Sequence, residues 1–287
     1  MRRTLLKIME LIVSKGFWQK AWIVPSILFA VATTFLTFVD INEKKYLLYV
    51  LIIVTLIYFI IYIFKASSLN TISLDIDGSQ LEIVSGDIFN QESDSFKVIA
   101  FNEYFDTKVD DNIISSNSLN GQYILKKYPL PKDLKGFNRR LANDQRLREN
   151  IKQLNVERKL GGNSTRYELG SVYKDDDYFL VAFSKFNELN VANLKLAEYA
   201  TCLMKFWSEV NSLYNRKTVV LPLLGSGITR HNDFNANNQE LLEVLIWTFK
   251  ISKVKFREPS KIRIVIHESQ IGEINFYKLK ELEKNGI

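Results

Sequence analysis

Residues Lys217 to Phe234 read KTVVLPLLGSGITRHNDF. Thr218, Val219, Val220, Leu221, Leu223 and Leu224 form an apolar run bounded by turn signals, the pattern of a strand buried on both faces. At its carboxyl end the chain places Gly225 and Gly227 around Ser226. Glycine admits positive φ and leaves backbone N–H groups unobstructed, so a short glycine loop between a strand and a helix can cradle a phosphate or diphosphate. GSGITR has no lysine to match a nucleoside-triphosphatase loop, and Arg230 stands where G-x-G-x-x-G needs its third glycine. A neutral loop of this kind suits binding of a diphosphate better than its hydrolysis. Taken alone, it is equally an ordinary strand-to-helix turn.

On either side of this stretch, strands and helices alternate. TISLDI and LEIVSGDIF read as a hairpin turning at Asp77 and Gly78. FKVIAFN is a strand, and DTKVDDNIISSNSLNGQYI leads into a helix. Leu134 to Lys159 reads as one long polar-faced helix or two shorter ones, and YFLVAFSKF as a strand. NVANLKLAEYATCLMKFWSEVNSLY has apolar positions every three to four residues, predicting a helix of about six turns. A helix from about Asn237 to Val254, the strand KIRIVIHE and a terminal helix EINFYKLKELEKN complete the series. Such alternation predicts an α/β fold with helices on both faces of a sheet. Ligands of open sheets lie beyond the carboxyl ends of the strands, so FN, GSG, SKFNELN and HESQ are expected to converge on one cleft.

The first part of the 287-residue chain is of another kind. AWIVPSILFAVATTFLTFV (21–39) and YLLYVLIIVTLIYFIIYIF (46–64) carry no charge. At about 1.5 Å per residue each is long enough to cross a hydrocarbon core about 30 Å thick. Core helices are seldom so long and wholly apolar, and a signal peptide would show a small-residue cleavage site. The organisation read from this is a basic leader (1–20), a transmembrane helical hairpin (21–64) and a soluble domain (65–287). Leu5, Ile8, Met9, Ile12, Val13 and Phe17 recur at helical spacing, so the leader is either an amphipathic surface helix or a frayed polar terminus. Arg2, Arg3, Lys7, Lys15 and Lys20 against Glu10 place the amino terminus in the cytoplasm, and two spans return the chain there. The leader holds +4 of the net charge of +6 and the connector DINEKK is balanced, leaving +2 for residues 65–287. The sequence pI of 9.1 therefore suits anionic lipid headgroups at the leader and gives no reason to expect nucleic acid.

Cys202 is the single cysteine, so no intramolecular disulfide can form, and its apolar neighbours at helical spacing read it as a small core residue and not a nucleophile. His231 and His267 are the two histidines, and no closely spaced His, Cys and carboxylate set suggests a metal site.

VSGDIF (84–89), VIAFN (98–102) and LPLLGSGITR together resemble the macro domain, the fold that binds ADP-ribose. The resemblance implies that Asp87 accepts a hydrogen bond from the adenine amino group with the backbone of Ile88 beside it. It implies that Asn102 approaches the distal ribose, and that Leu224, Gly225, Ser226, Gly227, Ile228, Thr229 and Arg230 form the diphosphate loop. SNSLNG stands where a second phosphate loop belongs, implicating Ser118, Leu119 and Gly121, without that family's glycine run. His267 is placed beside the adenine, although a lone strand-end histidine is usually structural. Many macro domains that hydrolyse ADP-ribosyl bonds carry a second asparagine where this chain has Phe105, which cannot position a water. Glu103 and Asp106 are then either a base or exposed loop-capping acids.

Behind a two-helix hairpin, EYFDTKVDD, SLNGQYI, RYELGSV and YFLVAFSKFNELNVA make nearly the whole chain similar to the membrane-anchored macro-domain effectors of type II Thoeris antiphage systems. The resemblance implies a macro-domain-like mixed sheet flanked by helices and a multi-pass protein of the bacterial inner membrane, with both termini cytoplasmic. It implies an ADP-ribose-derived messenger, such as histidine-ADP-ribose made from NAD by a TIR-domain partner, and no cofactor. It implies a homo-oligomer that disrupts the lipid bilayer and causes abortive infection without catalysis. A membrane-tethered ADP-ribosyl hydrolase and a scaffold that binds nothing are the alternatives. The spans hold Ser26, Thr33, Thr34, Thr37 and Thr55 but no obvious ion filter. Leu134 to Lys159 is a candidate interface between protomers, or a solvated charged helix.

Overall fold

Asp77 and Gly78 take φ of 51° and 83°, the left-handed pair that a two-residue hairpin turn requires. In a computed structural model that describes residues 8–9, 12–13, 15–38, 44–227, 230–231 and 235–284, they join β1 (Thr71–Ile76) to β2 (Ser79–Ser85) in antiparallel register. The other strands are β3 (Ser95–Asn102), β4 (Ile151–Gln153), β5 (Arg166–Tyr167), β6 (Val172–Asp175), β7 (Tyr178–Phe186), β8 (Ala192–Leu194), β9 (Thr218–Pro222), β10 (Arg230–His231) and β11 (Ile262–Ile266). One mixed sheet runs in the order β1-β2-β11-β9-β3-β7-β8-β10, with β6 also on β7. Its centre, β2, β11, β9, β3 and β7, is parallel, while β4 and β5 make a separate ladder. Val219, Val220, Leu221, Ile264 and Ile266 are solvent-inaccessible, which is why these strands read as unbroken apolar runs.

The helices are α1 (Lys15–Ala21), α2 (Ile23–Phe38), α3 (Lys44–Ser67), α4 (Leu119–Lys127), α5 (Pro131–Asn143), α6 (Gln145–Glu149), α7 (Leu196–Leu213), α8 (Asn238–Ser252), α9 (Glu268–Ile271) and α10 (Phe276–Lys284). Tyr123 and Ile124 of α4, Phe137 and Leu141 of α5 and Leu147 of α6 pack with Ile99, Phe101, Leu180 and Ala182 of the sheet. On the other face Tyr199 of α7 meets Phe183 edge-on at 5.7 Å. Trp207 of α7 donates to Thr248 of α8 at 3.2 Å. Asn237 and Glu240 cap the start of α8 reciprocally.

Two expected helices are shorter than their pattern. The segment Leu134 to Lys159 is helical only to Glu149. Asp144 adopts extended backbone angles, ends α5, and accepts the Leu147 N–H to start α6, the competition that a short acidic side chain offers a helix. Beyond Asn150, pairing with β5 makes a strand of Ile151–Gln153. The segment beginning NVANL is not helical at its start, because Ala192 and Asn193 pair with Phe186 and Lys185. The Asn187 side chain accepts the N–H groups of Leu189 and Val191, fixing a turn that helical periodicity does not report.

The chain divides into two compact units, residues 71–271 and a helical unit of residues 1–70 with 272–286. In the helical unit, the stretches Phe17–Phe38 and Lys45–Ser67 have mean hydropathy 1.9 and 2.9 and are long and apolar enough to cross a membrane. The hydroxyls of Thr33, Thr34 and Thr55 donate to the carbonyls of Phe29, Ala30 and Leu51, so these polar groups are satisfied within their own helices. Of the leader, Ile8–Met9 and Ile12–Val13 are helical, and Leu5 lies outside the described residues. Phe17 of α1 packs against Tyr62 of α3 at 5.2 Å and Tyr277 of α10 at 5.4 Å.

Candidate functional site

The carboxyl ends of the parallel strands open onto one cavity of about 420 Å³. After β2, Asp87 caps a one-turn helix over Ile88–Asn90, its Oδ1 accepting the Phe89 N–H at 2.9 Å. Asp87 is exposed at the rim, whereas the Ile88 side chain is buried in the core. Where β3 leaves β7 the register slips: Phe101 faces Ala182 but Asn102 faces Ser184. The bulge makes Phe183 an extra residue and turns the strand end. Asn102, Phe183 and Ser184 all line the cavity.

Ser118 forms the amino-terminal cap of α4, accepting the Gly121 N–H at 3.0 Å and donating to the Ser115 carbonyl at 2.7 Å. A Cβ on Gly121 would collide with that carbonyl, so this glycine permits close approach of backbone to backbone. Ser118, Leu119, Asn120 and Gln122 line the cavity, and Gly121 does not. Asn120 is buried, and its Oδ1 has no hydrogen-bond partner among the described residues. A buried acceptor left open in a cavity wall is a vacancy that a polar ligand can fill.

After β9, Leu224 presents its carbonyl to the Tyr199 hydroxyl at 3.0 Å, and Gly225 turns the loop at a φ of 89°. The Ser226 N–H donates to the Leu223 carbonyl at 3.2 Å, and its hydroxyl donates to the same carbonyl at 2.7 Å. The amide of Gln270 donates to the Ser226 carbonyl at 3.0 Å, pinning the loop to α9. The Ser226 N–H is thus taken up by the turn, while the Gly227 N–H carries no partner among the described residues. His267 caps α9, with Nδ1 accepting the Ser269 N–H at 3.3 Å and standing 2.8 Å from the Ser269 hydroxyl.

Of the residues expected from sequence, Asp87, Ile88, Asn102, Ser118, Leu119, Leu224, Gly225, Ser226, Gly227 and His267 come together on this wall. Ile228 and Thr229 lie outside the described residues, and Arg230 is described by its backbone alone, in β10. Asn120, Ser184 and Gln270 were not singled out, although the segments SNSLNG, SKFNELN and HESQ that hold them were expected at the cleft. Their positions depend on a helix start, a bulge and a cap that bring separate segments together. Asp87 and His267 are the ionisable groups on the described wall, so a diphosphate there would be held by backbone N–H groups and amides.

Glu103 and Asp106 are neither a base on the cavity wall nor exposed caps. Both are 1% exposed. Glu103 receives Nε and Nη2 of Arg166 at 2.8 and 3.1 Å, and this hydrogen bonding holds the guanidinium above its usual pKa. Asp106 receives Nη1 of Arg158 at 2.6 Å. A buried carboxylate persists only when paired in this way, so the burial and the cations go together. Phe105 is solvent-inaccessible with a φ of 49°, its ring against Phe101 and Tyr167. Cys202 is buried too, and burial pushes its thiol up to about 12, the state of a core residue.

Residues 81–267 match the family model described as Thoeris protein ThsA, Macro domain. The chain is 48% identical over 283 residues to the Thoeris protein ThsA of Bacillus amyloliquefaciens (strain Y2), covering 98% of this chain and 94% of that protein. The chain belongs to the Thoeris ThsA family. The macro-domain match starts within β2 and ends at His267, just past β11, so it spans the parallel centre of the sheet. Among solved structures, a mutant of the Oceanobacillus iheyensis macrodomain is similar over 76% of this chain and 100% of that chain, with a TM-score of 0.48 and 15% identity. The same macrodomain with ADP is similar over 75% and 97%, with a TM-score of 0.46 and 14% identity.

Proposed function

We propose that this ThsA-family chain is a membrane-anchored effector gated by a nucleotide messenger. The cavity takes an ADP-ribose derivative, such as histidine-ADP-ribose made from NAD by a TIR-domain partner. Occupancy drives self-association, and the two apolar helices then disrupt the inner membrane, so that infection is aborted. The reading rests on the cavity wall. One oxygen of Asp87 carries no hydrogen bond among the described residues and suits the adenine amino group. The amino terminus of α4 and the Gly227 amide offer N–H groups to a diphosphate, and Asn102 suits the distal ribose. A non-catalytic role is supported by Glu103 and Asp106, whose carboxylates are committed to Arg166 and Arg158.

The test uses the full-length protein in detergent micelles, heated with ADP-ribose, ADP, NAD or histidine-ADP-ribose while products are followed by chromatography. The expected result is a rise in Tm with the ADP-ribose compounds, corresponding to about 2.7 kcal/mol at a hundred times Kd, and no product. No shift with any of them would overturn the reading. Release of free ADP-ribose from the conjugate would make the protein a hydrolase.

A further inference from the structure

The Asn102 side chain is almost fully occupied before any ligand arrives. Its Oδ1 accepts the N–H groups of Tyr104 at 3.1 Å and Asp106 at 3.2 Å, and its Nδ2 donates to Asp106 Oδ2 at 2.9 Å. A primary amide has two N–H donors and two acceptor sites, so one Nδ2 hydrogen is left on a residue that lines the cavity. Reversing the amide would set Oδ1 against the Asp106 carboxylate and Nδ2 against two N–H groups. The carboxylate on Nδ2 and the two N–H groups on Oδ1 together make the open position of Asn102 a donor.

Asp106 is itself held on every side. Arg158 Nη1 donates to its Oδ2, and the Asn163 N–H donates to Oδ1, both at 2.6 Å. Arg158 is 8% exposed in its side chain, lies over the Tyr104 ring at 4.2 Å, and donates through Nη2 to Asn190 at 2.7 Å. Neither Asp106 nor Arg158 lines the cavity. Asp106 reaches the cavity through the Asn102 amide. Asn190 precedes β8, whose first residue, Ala192, lines the cavity, so the same guanidinium ties two parts of the site together.

We infer that Asp106 and Arg158 are positioning residues that fix the Asn102 amide as a donor to a ribose hydroxyl, and so select ADP-ribose compounds over ligands that end at the diphosphate. This rests on the reading that the distal ribose lies at Asn102. A role confined to folding would weaken ADP and ADP-ribose alike, whereas an oriented amide affects only the ligand that carries the second sugar.

Titration calorimetry of full-length wild type, Asp106→Asn and Arg158→Lys in micelles, each with ADP and with ADP-ribose, separates these cases. Wild type is expected to hold ADP-ribose about tenfold more tightly than ADP, the span of one good hydrogen bond to an oriented group. Asp106→Asn is expected to bring the two affinities together with ADP binding unchanged, and Arg158→Lys, which keeps the charge, to retain part of the preference. Equal preference in wild type and Asp106→Asn, or parallel loss of both ligands, would overturn the inference. Should Asp106→Asn fail to accumulate as folded protein, an undiminished preference in Arg158→Lys would overturn it too. Wild type that binds neither ligand would refute the nucleotide reading itself, a result distinct from these.

Discussion

Gly225 and Gly227 look interchangeable in GSG, yet the fold asks different things of them. Gly225 holds a φ of 89°, a region that costs any residue with a Cβ about 1–2 kcal/mol. A Cβ on Gly227 would meet nothing within 4 Å. Gly225→Ala is therefore expected to lower Tm and weaken the response to ADP-ribose. Gly227→Ala should leave stability within about 0.5 kcal/mol of wild type. The bulkier Gly227→Val should abolish the ADP-ribose response without lowering the Tm of the free protein. Thermal melts of the three variants with and without ADP-ribose check this, and an intact response in Gly227→Val would mean that the loop is only a turn.

At the scale of elements, α4 must be held firmly, because its first turn walls the cavity while its last turn faces β6. Asp175, at the end of β6, is 4% exposed and accepts the hydroxyls of Tyr123 and Tyr128, with Lys127 at 2.9 Å and Arg140 of α5 at 3.6 Å. Burial alone would raise its pKa. The hydrogen bonds from Tyr123, Tyr128 and Lys127 outweigh burial and hold the carboxyl below its ordinary value. A folded pKa below the unfolded one gives stability that is present above the unfolded value of about 3.9 and is lost as pH falls through the folded one. Asp175→Asn is expected to cost about 3 kcal/mol near pH 7, with the gap closing below about pH 4. Melts of both proteins from pH 7 to pH 3 test this, and a gap independent of pH would remove the charge from the account.

For the molecule as a whole, the proposed function requires a bilayer. If residues 40–45 face the outside of the cytoplasmic membrane, Asn42→Cys will react with a membrane-impermeant maleimide in intact cells stripped of outer layers. The wild type will not, since Cys202 is buried with its thiol pushed up to about 12. Labelling of Asn42→Cys only after lysis would reverse the proposed orientation. The apolar spans were legible because length and lack of charge decide membrane compatibility residue by residue. The parallel strands were legible for a similar reason: burial on both faces leaves an unbroken apolar run.

What the sequence determined by itself was therefore local and compositional: two helices long enough to span, a hairpin at Asp77–Gly78, buried strands ending in GD, FN and GSG, and a family pattern that includes Asp87 and Asn102. What only the tertiary structure decided was everything that depends on a partner distant in the chain. Asp106 reads as a loop acid until Arg158, fifty-two residues on, neutralises it in the interior. Ile151–Gln153 reads as helix until β5 pairs with it. Asn102 reads as a free amide until the turn around Asp106 takes all but one of its hydrogen-bonding positions. Periodicity and motif report what a residue meets along the chain. Burial, charge pairing and the direction of an amide are set by what folding brings to it from elsewhere.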